Sequence, residues 1–282
     1  MSGKTMSFKS IINNLAKNNN VTAQSVLQTY MLERLLERIS ISKYKDNFIL
    51  KGGMLISAML GIDSRTTMDM DTTIKGFSLT EENVKKILTD ICNVKIDDNV
   101  NMQLKKINLI RETDVYGGYR ATFEANYNNE MPVIMKIDIT TGDKITYKEV
   151  EYNFNLMLED RKIKIWSYNI ETLVAEKFET IISRNIATTR IRDYYDVYML
   201  INTQGKEIDN KVLKEAIILT AKHRETLEKI KDCERIIEAI KEDEHLKFLW
   251  EKYKKDNFYA KGIGYSDLIN AIIKVEQIYM SW

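Results

Sequence analysis

The sequence predicts an α+β protein, with a mixed β-sheet flanked by helices followed by an all-helical C-terminal part. Segments in which apolar and polar residues alternate are confined to the chain before about residue 166. Beyond that point apolar residues recur at helical spacing, interrupted only by short polar loops. The chain also has a single proline, Pro132, so few helices are interrupted. We therefore expect two domains, an N-terminal one with leading helices (1–166) and a helical one (167–282).

The predicted elements follow from these periodicities and from the turn residues between them. Two helices are predicted over residues 7–41, and apolar helical spacing returns after residue 170. The remaining predictions are strands at 47–50, 68–74, 101–110, 119–127, 133–140 and 162–166, and helices at 54–60 and 80–92.

Composition excludes several classes of protein. Hydrophobic residues make up 44% and charged residues 29%, values typical of a globular protein rather than a disordered one. The net charge of +1 gives no global electrostatic case for nucleic-acid binding, so any basic surface must be local. No apolar run approaches the ~18 residues of a membrane span, and the polar N-terminus lacks the apolar core of a secretory signal. We expect a cytoplasmic protein with no membrane partner.

Cysteine and histidine are scarce. Cys92 and Cys233 lie far apart, and we expect buried thiols in a reducing compartment rather than a disulfide. The only histidines are His223 and His245, so few residues are available for a structural zinc site or a Ser-His-Asp triad.

The most informative stretch is the predicted strand that contains Asp69 and Asp71. Alternate side chains of a strand share a face, so these two carboxylates lie side by side. At ~4 Å and an effective dielectric constant of about 20 they repel by roughly 4 kcal/mol. A divalent cation between them removes that repulsion, and Mg²⁺ prefers one or two carboxylates with phosphate oxygens and water. The alternative is that both are exposed, solvated strand-end aspartates.

A third carboxylate, Asp138, lies in another alternating segment and shares its face with Lys136. If this strand pairs beside the first, Asp69, Asp71 and Asp138 form a cluster that can hold two metal ions, and Asp138 can also accept a proton. Lys136 is then placed to contact a nucleotide.

Two glycines, Gly52 and Gly53, separate the predicted strand 47–50 from the helix that follows. Glycines at such a junction let the backbone approach a phosphate, and the start of the helix favours the anion. Alone the pair is only a turn; together with the aspartates it indicates a site for nucleotide phosphates.

The run Phe48-Ile49-Leu50-Lys51-Gly52-Gly53, followed by Arg65-Thr66-Thr67-Met68-Asp69-Met70-Asp71, resembles the AbiEii/AbiGii toxin family. The segments 30–40, 171–177 and 190–193 also resemble motifs of that family, and the likeness covers roughly residues 10–200. The resemblance implies a nucleotidyltransferase fold and a bacteriostatic toxin of a type IV toxin–antitoxin, phage-defence system.

The same resemblance implies substrates and partners. Related toxins transfer nucleotides from an NTP onto the 3′ end of tRNA, which blocks aminoacylation, so we expect an NTP substrate, a tRNA acceptor and Mg²⁺ or Mn²⁺. The expected cognate antitoxin is a DNA-binding repressor that forms no stable complex with the toxin.

The chain departs from the usual nucleotidyltransferase pattern at two places. Gly53 stands where a serine is common, which leaves Thr67 as the candidate for the missing hydroxyl contact to phosphate. Arg192 stands where the last motif usually has lysine; the charge is kept, but a guanidinium has a different geometry from an ammonium.

Lys177 falls inside the apolar stripe of the helix predicted after residue 170. A buried ammonium costs free energy unless it snorkels to solvent or meets an anion. Because Arg190, Arg192 and Asp193 open the next helix, we expect a functional role: Lys177 contacts the triphosphate, and Asp193 accepts from Lys177 or orients the base or ribose. Arg190 or Arg192 is expected to meet phosphate or acceptor RNA.

Weaker signals keep ordinary structural interpretations. The basic runs 222–224 and 252–255 are typical of solvated helix faces, although they could grip a nucleic-acid backbone. Tyr194, Tyr195 and Tyr198 are expected in the helical core.

Three functions remain open at this point. The first is a tRNA-directed nucleotidyltransferase toxin. The second is a nucleotidyltransferase acting on a small molecule or on a protein hydroxyl, which the same carboxylates would serve equally well. The third is a non-catalytic nucleotide- or RNA-binding module, which the retention of the three aspartates and Lys177 argues against.

Overall fold

The computed structural model describes residues 1–110 and 117–281. Within these ranges the chain forms eleven α-helices, two short 3-10 helices and seven β-strands. The predicted α+β class is confirmed, because every strand precedes the run of helices that begins at residue 170.

The structure separates into two compact units. The first comprises residues 1–143 and 150–167, and the second comprises residues 144–149 and 168–282. The first unit holds all the strands and the first four helices, whereas the second is helical. The domain division made from the sequence stays a prediction.

One seven-stranded sheet organises the first unit. Its strand order is β3-β4-β5-β2-β1-β7-β6. Neighbouring strands are antiparallel except for β2 with β5 and β1 with β7, which are parallel. The strands are β1 (Phe48–Lys51), β2 (Asp69–Ile74), β3 (Val100–Ile110), β4 (Gly118–Tyr127), β5 (Met131–Thr141), β6 (Val150–Asn155) and β7 (Lys162–Ser167).

Burial alternates along the central strands as the sequence predicts. Along β5, for example, Val133, Met135 and Ile137 are buried, whereas the residues between them are exposed or half-buried. Two helices pack on this part of the sheet, α2 against β5 and β7, and α3 against β1 and β2. The helices of the first unit are α1 (Gly3–Asn18), α2 (Ala23–Ile41), α3 (Gly52–Leu60) and α4 (Glu81–Cys92).

The second unit is built around α5, which contacts α6, α7, α8 and α9. Its core includes Phe178, Tyr194, Tyr195 and Trp250, all fully buried, so the expected core positions of Tyr194 and Tyr195 are confirmed. The helices are α5 (Ile170–Arg184), α6 (Ile191–Thr203), α7 (Asn210–His223), α8 (Leu227–Lys231), α9 (Cys233–Glu242), α10 (Glu244–Asp256) and α11 (Tyr265–Met280), with 3-10 turns at Asn185–Ala187 and Phe258–Ala260.

The sequence patterns missed β6. This strand pairs only with β7, and just one of its residues, Phe154, is buried. An edge strand with so little buried surface carries a weak alternating signal. The first helix also begins earlier than residue 7, at Gly3, where Ser2 accepts a hydrogen bond from the Thr5 amide as its N-terminal cap.

Both cysteines are free thiols, as expected, but Cys92 is half-buried rather than fully buried. Burial raises the pKa of each thiol to about 11, so neither is a reactive thiolate near neutral pH. No helix in the described ranges is long and apolar enough to cross a membrane.

Candidate active site

The strand pairing that the carboxylate hypothesis needs is present. β2 lies parallel to β5, with Asp69 opposite Lys136 and Asp71 opposite Asp138. These four side chains share one face of the sheet, because the intervening Met70 is fully buried on the other face. Tertiary structure therefore brings the three predicted aspartates to neighbouring positions on two adjacent strands. We call this group of Asp69, Asp71 and Asp138 the carboxylate edge.

Arg120 is the main positive partner of the carboxylate edge, and the sequence patterns did not single it out. It lies opposite Asp138 in the antiparallel pairing of β4 with β5. Its Nε and Nη2 atoms donate to the two carboxylate oxygens of Asp138 at 2.7 and 2.6 Å. Alternation along β4 puts Arg120 on the polar face, but only the register of β4 against β5 identifies its partner.

Asp69 lies beside two other carboxylates of the carboxylate edge. Loss of solvation raises its pKa above the ordinary value for aspartate. The charges of Asp138 and Asp71 raise it further, and together these effects outweigh Arg120 and Lys136, which lower it. Although Asp69 is exposed, no described residue donates a hydrogen bond to its carboxylate. The excess of negative charge therefore favours a cation at this position.

The start of α3 faces the carboxylate edge. Gly52 has a φ of 63°, and a Cβ at this position would lie 2.3 Å from Asp71 Oδ2, so no side chain fits there. The Gly53 amide points toward the same Asp71 oxygen at a long 3.4 Å. No side chain caps this helix, which leaves amide groups at its start for an anion.

The structure explains why Gly53 replaces the usual serine. A Cβ on Gly53 would lie 2.9 Å from Arg65 Nη2 and 3.0 Å from Thr67 Oγ1. Arg65 and Thr67 are both buried, and the Thr67 hydroxyl donates to the Asp69 carbonyl at 3.0 Å. Thr67 thus places its hydroxyl where a serine side chain would begin, and its contact to phosphate stays a prediction.

Lys51, the residue before the two glycines, is a further charged group that sequence reasoning missed. It lies opposite Asp71 in the β1–β2 pairing. Its Nζ donates to Asp143 Oδ2 at 2.5 Å and to Thr140 Oγ1 at 2.8 Å. Burial alone raises the pKa of Asp143, but Lys51 and these hydrogen bonds outweigh it and hold the pKa below its usual value.

The carboxylate edge fits a divalent cation through two of its members. Asp69 and Asp71 supply hard oxygen ligands on one strand face, which matches the preference of Mg²⁺ for one or two carboxylates plus phosphate. In the described part of the chain, no three His, Cys, Asp or Glu side chains are grouped closely enough to hold a metal ion. Asp138, the predicted third ligand, is engaged by Arg120 instead.

The second unit brings Lys177 together with buried carboxylates, a group that we call the lysine cluster. Lys177 Nζ lies 2.5 Å from Asp193 Oδ1 and 3.0 Å from Asp196 Oδ2. Arg190 Nε lies 2.7 Å from the other oxygen of Asp193. Side-chain exposure is 13% for Lys177, 3% for Asp193 and 0% for Asp196, so the lysine is ion-paired rather than snorkelling.

Charge balance sets the ionisation of the lysine cluster. Burial alone would raise the pKa of Asp193, but the positive charges of Lys177 and Arg190 outweigh it and hold that pKa below its usual value. Asp196 was missed by sequence reasoning, although its spacing of three from Asp193 on one helix is a usable signal. Arg192 is exposed at the start of α6.

Of the weaker basic signals, the run 222–224 is partly accounted for by internal contacts. Arg224 pairs with Glu176 at 2.9 Å and with Glu179 at 2.5 Å. In the run 252–255, Lys254 pairs with Glu251 at 2.7 Å, as expected for a solvated helix face.

A family model described as the nucleotidyl transferase AbiEii toxin of type IV toxin–antitoxin systems matches residues 34–268. The match includes both the carboxylate edge and the lysine cluster. The chain belongs to the AbiEii family. The resemblance inferred from the sequence motifs is thereby confirmed, and this AbiEii chain is a nucleotidyltransferase.

Solved structures are also similar to this AbiEii chain. A proposed nucleotidyltransferase from H. pylori is 14% identical, with a TM-score of 0.49 over 92% of this chain and 97% of the other. JHP933 from Helicobacter pylori is 13% identical, with a TM-score of 0.49 over 92% and 94%. An antigenic nucleotidyltransferase-like protein from Paracoccidioides brasiliensis is 14% identical, with a TM-score of 0.39 over 70% and 91%. No curated protein sequence matched the chain.

Proposed function

We propose that this AbiEii-family chain transfers a nucleoside monophosphate from an NTP to an RNA acceptor, the 3′ end of tRNA, and that a divalent cation at Asp69 and Asp71 is required. Transfer at that end would block aminoacylation and arrest growth, which agrees with the toxin description of the family. The cognate antitoxin would act as a DNA-binding repressor without a stable complex.

The observation that carries this proposal is the carboxylate edge beside the uncapped start of α3. Paired strands align Asp71 with Asp138, and the Gly53 amide points at Asp71. Carboxylates for a cation therefore adjoin backbone donors for phosphate, and nucleotidyl transfer needs both in one place.

Each group then has a chemical role. Asp69 and Asp71 would hold the metal, which would supply positive charge against the phosphates during transfer. Amide groups at Gly52 and Gly53, the Thr67 hydroxyl and the Lys136 ammonium would hold the triphosphate in line with the acceptor. The acceptor hydroxyl forms a bond to the α-phosphorus as the bond to pyrophosphate breaks. An Asp138 carboxylate oxygen would take the hydroxyl proton after leaving Arg120.

The lysine cluster would supply positive charge for the substrates. We propose that Lys177 contacts the triphosphate, while Asp193 fixes its ammonium through the 2.5 Å contact. Arg190 and the exposed Arg192 would meet phosphate or acceptor RNA. Because Lys177 is held by two buried carboxylates, it would present a charge whose position is fixed before the substrate arrives.

The test is incubation of the purified chain with each labelled NTP, total RNA and purified tRNA, with Mg²⁺, with Mn²⁺ and with a chelator. We expect metal-dependent labelling of tRNA that Asp71→Asn abolishes. Asp97→Asn is the matched control, because Asp97 is an exposed aspartate of the same unit outside the carboxylate edge.

The other functions appear as distinct outcomes. Labelling of a protein or of a small molecule, without labelling of RNA, would show that the acceptor is not RNA and would leave nucleotidyl transfer as the activity. NTP binding without transfer to any acceptor would leave a non-catalytic module. Labelling that survives chelation would remove the metal from the proposal.

A further inference from the structure

Arg120 contacts the carboxylate edge through a two-point contact with Asp138. Its guanidinium donates to both oxygens of Asp138, at 2.7 and 2.6 Å, so neither oxygen is left without a donor in this arrangement. A bidentate pair of this kind has a more specific geometry than a single contact. A cation that used Asp138 as a ligand would have to displace this guanidinium.

Arg120 also acts on the other two members of the carboxylate edge. The negative charges of Asp69 and Asp71 add to that of Asp138 in stabilising the charged guanidinium. Lys136 lies opposite Asp69 and lowers its pKa, but Asp138 contacts Arg120 rather than this lysine. The guanidinium of Arg120 therefore supplies at Asp138 the positive charge that a metal ion would otherwise supply.

We propose that Arg120 is a positioning residue that competes with the divalent cation for Asp138. In the protein without nucleotide, it keeps Asp138 out of the metal's ligand set, so that free metal meets only Asp69 and Asp71. Arg120 is 43% exposed and Asp138 is 19% exposed, so the pair can open without disturbing the core. The inference rests on the proposed metal site.

The consequence is measurable with the metal alone. If the ion pair with Arg120 prevents Asp138 from binding metal, then Asp138→Asn by itself should change Mn²⁺ affinity little. Removing the guanidinium with Arg120→Gln frees Asp138 and should tighten Mn²⁺ binding by roughly threefold to tenfold, the worth of a partly exposed ion pair at a crowded site. Adding Asp138→Asn to Arg120→Gln should then cancel the gain.

Arg161→Gln is the matched control. Arg161 is also 43% exposed and also pairs with carboxylates of the first unit, Glu37 and Glu159, but it lies outside the carboxylate edge. The Arg161→Gln substitution removes one positive charge, as Arg120→Gln does. An effect of net charge on Mn²⁺ binding would therefore appear in both variants. We expect Arg161→Gln to bind Mn²⁺ as the wild type does.

The experiment is a double-mutant cycle on the full chain, with Mn²⁺ binding measured by electron paramagnetic resonance without nucleotide. Thermal melting of each variant without metal verifies folding. Tighter binding by Arg120→Gln that disappears in the double variant supports the competition. Additive effects of the two substitutions, or unchanged binding by folded Arg120→Gln, would overturn it while leaving the metal site intact. Binding of Mn²⁺ by none of the variants would remove the proposed metal site and this inference with it.

Discussion

Both units pair acidic with basic side chains, but they do so in different surroundings. In the carboxylate edge Asp69 is exposed, and Arg120, the partner of Asp138, is 43% exposed. In the lysine cluster the carboxylates of Asp193 and Asp196 are 3% and 0% exposed, and Lys177 lies within 3.0 Å of both. Side chains of the carboxylate edge can exchange their partners for water or ligands, whereas those of the lysine cluster are paired with one another inside the protein.

The contrast separates charges that serve stability from charges that are available for chemistry. An unpaired charge is tolerated at the carboxylate edge because water and a cation can reach it. In the lysine cluster an unpaired charge would be buried, and removing one partner of a buried pair is costly. Substitutions of the aspartates in the first group should therefore lower activity without lowering stability, and those in the second should lower stability as well.

The largest expected effect follows substitution of the carboxylate edge. Asp69→Asn or Asp71→Asn should lower nucleotide transfer by at least about a thousandfold, because each removes a charge from the metal site. The melting temperature without metal should stay unchanged or rise, since Asp69 is crowded by like charges. Transfer assays and thermal melting measure the two effects. Undiminished transfer by either folded variant would contradict the assignment.

Lys177→Met tests the opposite side of the comparison. From the sequence alone, this substitution would simply remove a charge from an apolar stripe and leave stability unchanged. The structure changes that expectation, because the variant leaves Asp193 and Asp196 buried with one partner fewer. We expect a loss of about 3 kcal/mol or more in the free energy of unfolding, measured by denaturant titration.

A second variant separates charge from packing in this experiment. Adding Asp196→Asn to Lys177→Met should recover part of the lost stability, because one buried charge is removed with its partner. Equal stability of Lys177→Met and the wild type would show that the lysine cluster is not a buried ion group. Weaker NTP binding by the stabilised double variant would further support the phosphate contact.

A smaller effect is expected when the lysine cluster is titrated with acid. The folded pKa of Asp193 lies below its ordinary value, so its ion pairs contribute fully at neutral pH. That contribution is lost as the pH falls through the folded pKa, below about pH 4. The stability difference between the wild type and Asp193→Asn should therefore be constant near neutral pH and shrink in acid. A pH-independent difference in urea titrations would attribute it to packing.

The smallest effect is expected at the glycine that departs from the family pattern. Gly53→Ser should lower stability by about 1 kcal/mol, because its Cβ would crowd Arg65 and the Thr67 hydroxyl at 2.9 and 3.0 Å. Thr67→Ala vacates that space, so Gly53→Ser should be better tolerated in the Thr67→Ala background. Thermal melting of the wild type, the two single variants and the double variant measures the coupling between positions 53 and 67. Additive losses would show that Thr67 does not occupy the place of the serine.

The fold class, the central strands and the candidate carboxylates could all be predicted from the sequence. Alternation placed Asp69 and Asp71 on one strand face and Asp138 on a like face elsewhere, since side-chain direction in a strand has a strict period of two. Helical spacing likewise placed Lys177 among apolar residues. These properties are local, so they can be read without knowing which segments meet.

The Lys177–Asp193 contact could be expected from the sequence, whereas the partner of Asp138 and the second partner of Lys177 became known only from the tertiary structure. The register of β4 against β5 places Arg120 opposite Asp138. The packing of α5 with α6 places Lys177 beside Asp196, which the sequence patterns had not indicated. A shift of one residue in the strand pairing would turn Arg120 away from Asp138. The partner of Arg120 depends on the register between two strands, and strand register is not encoded by the local pattern of either strand.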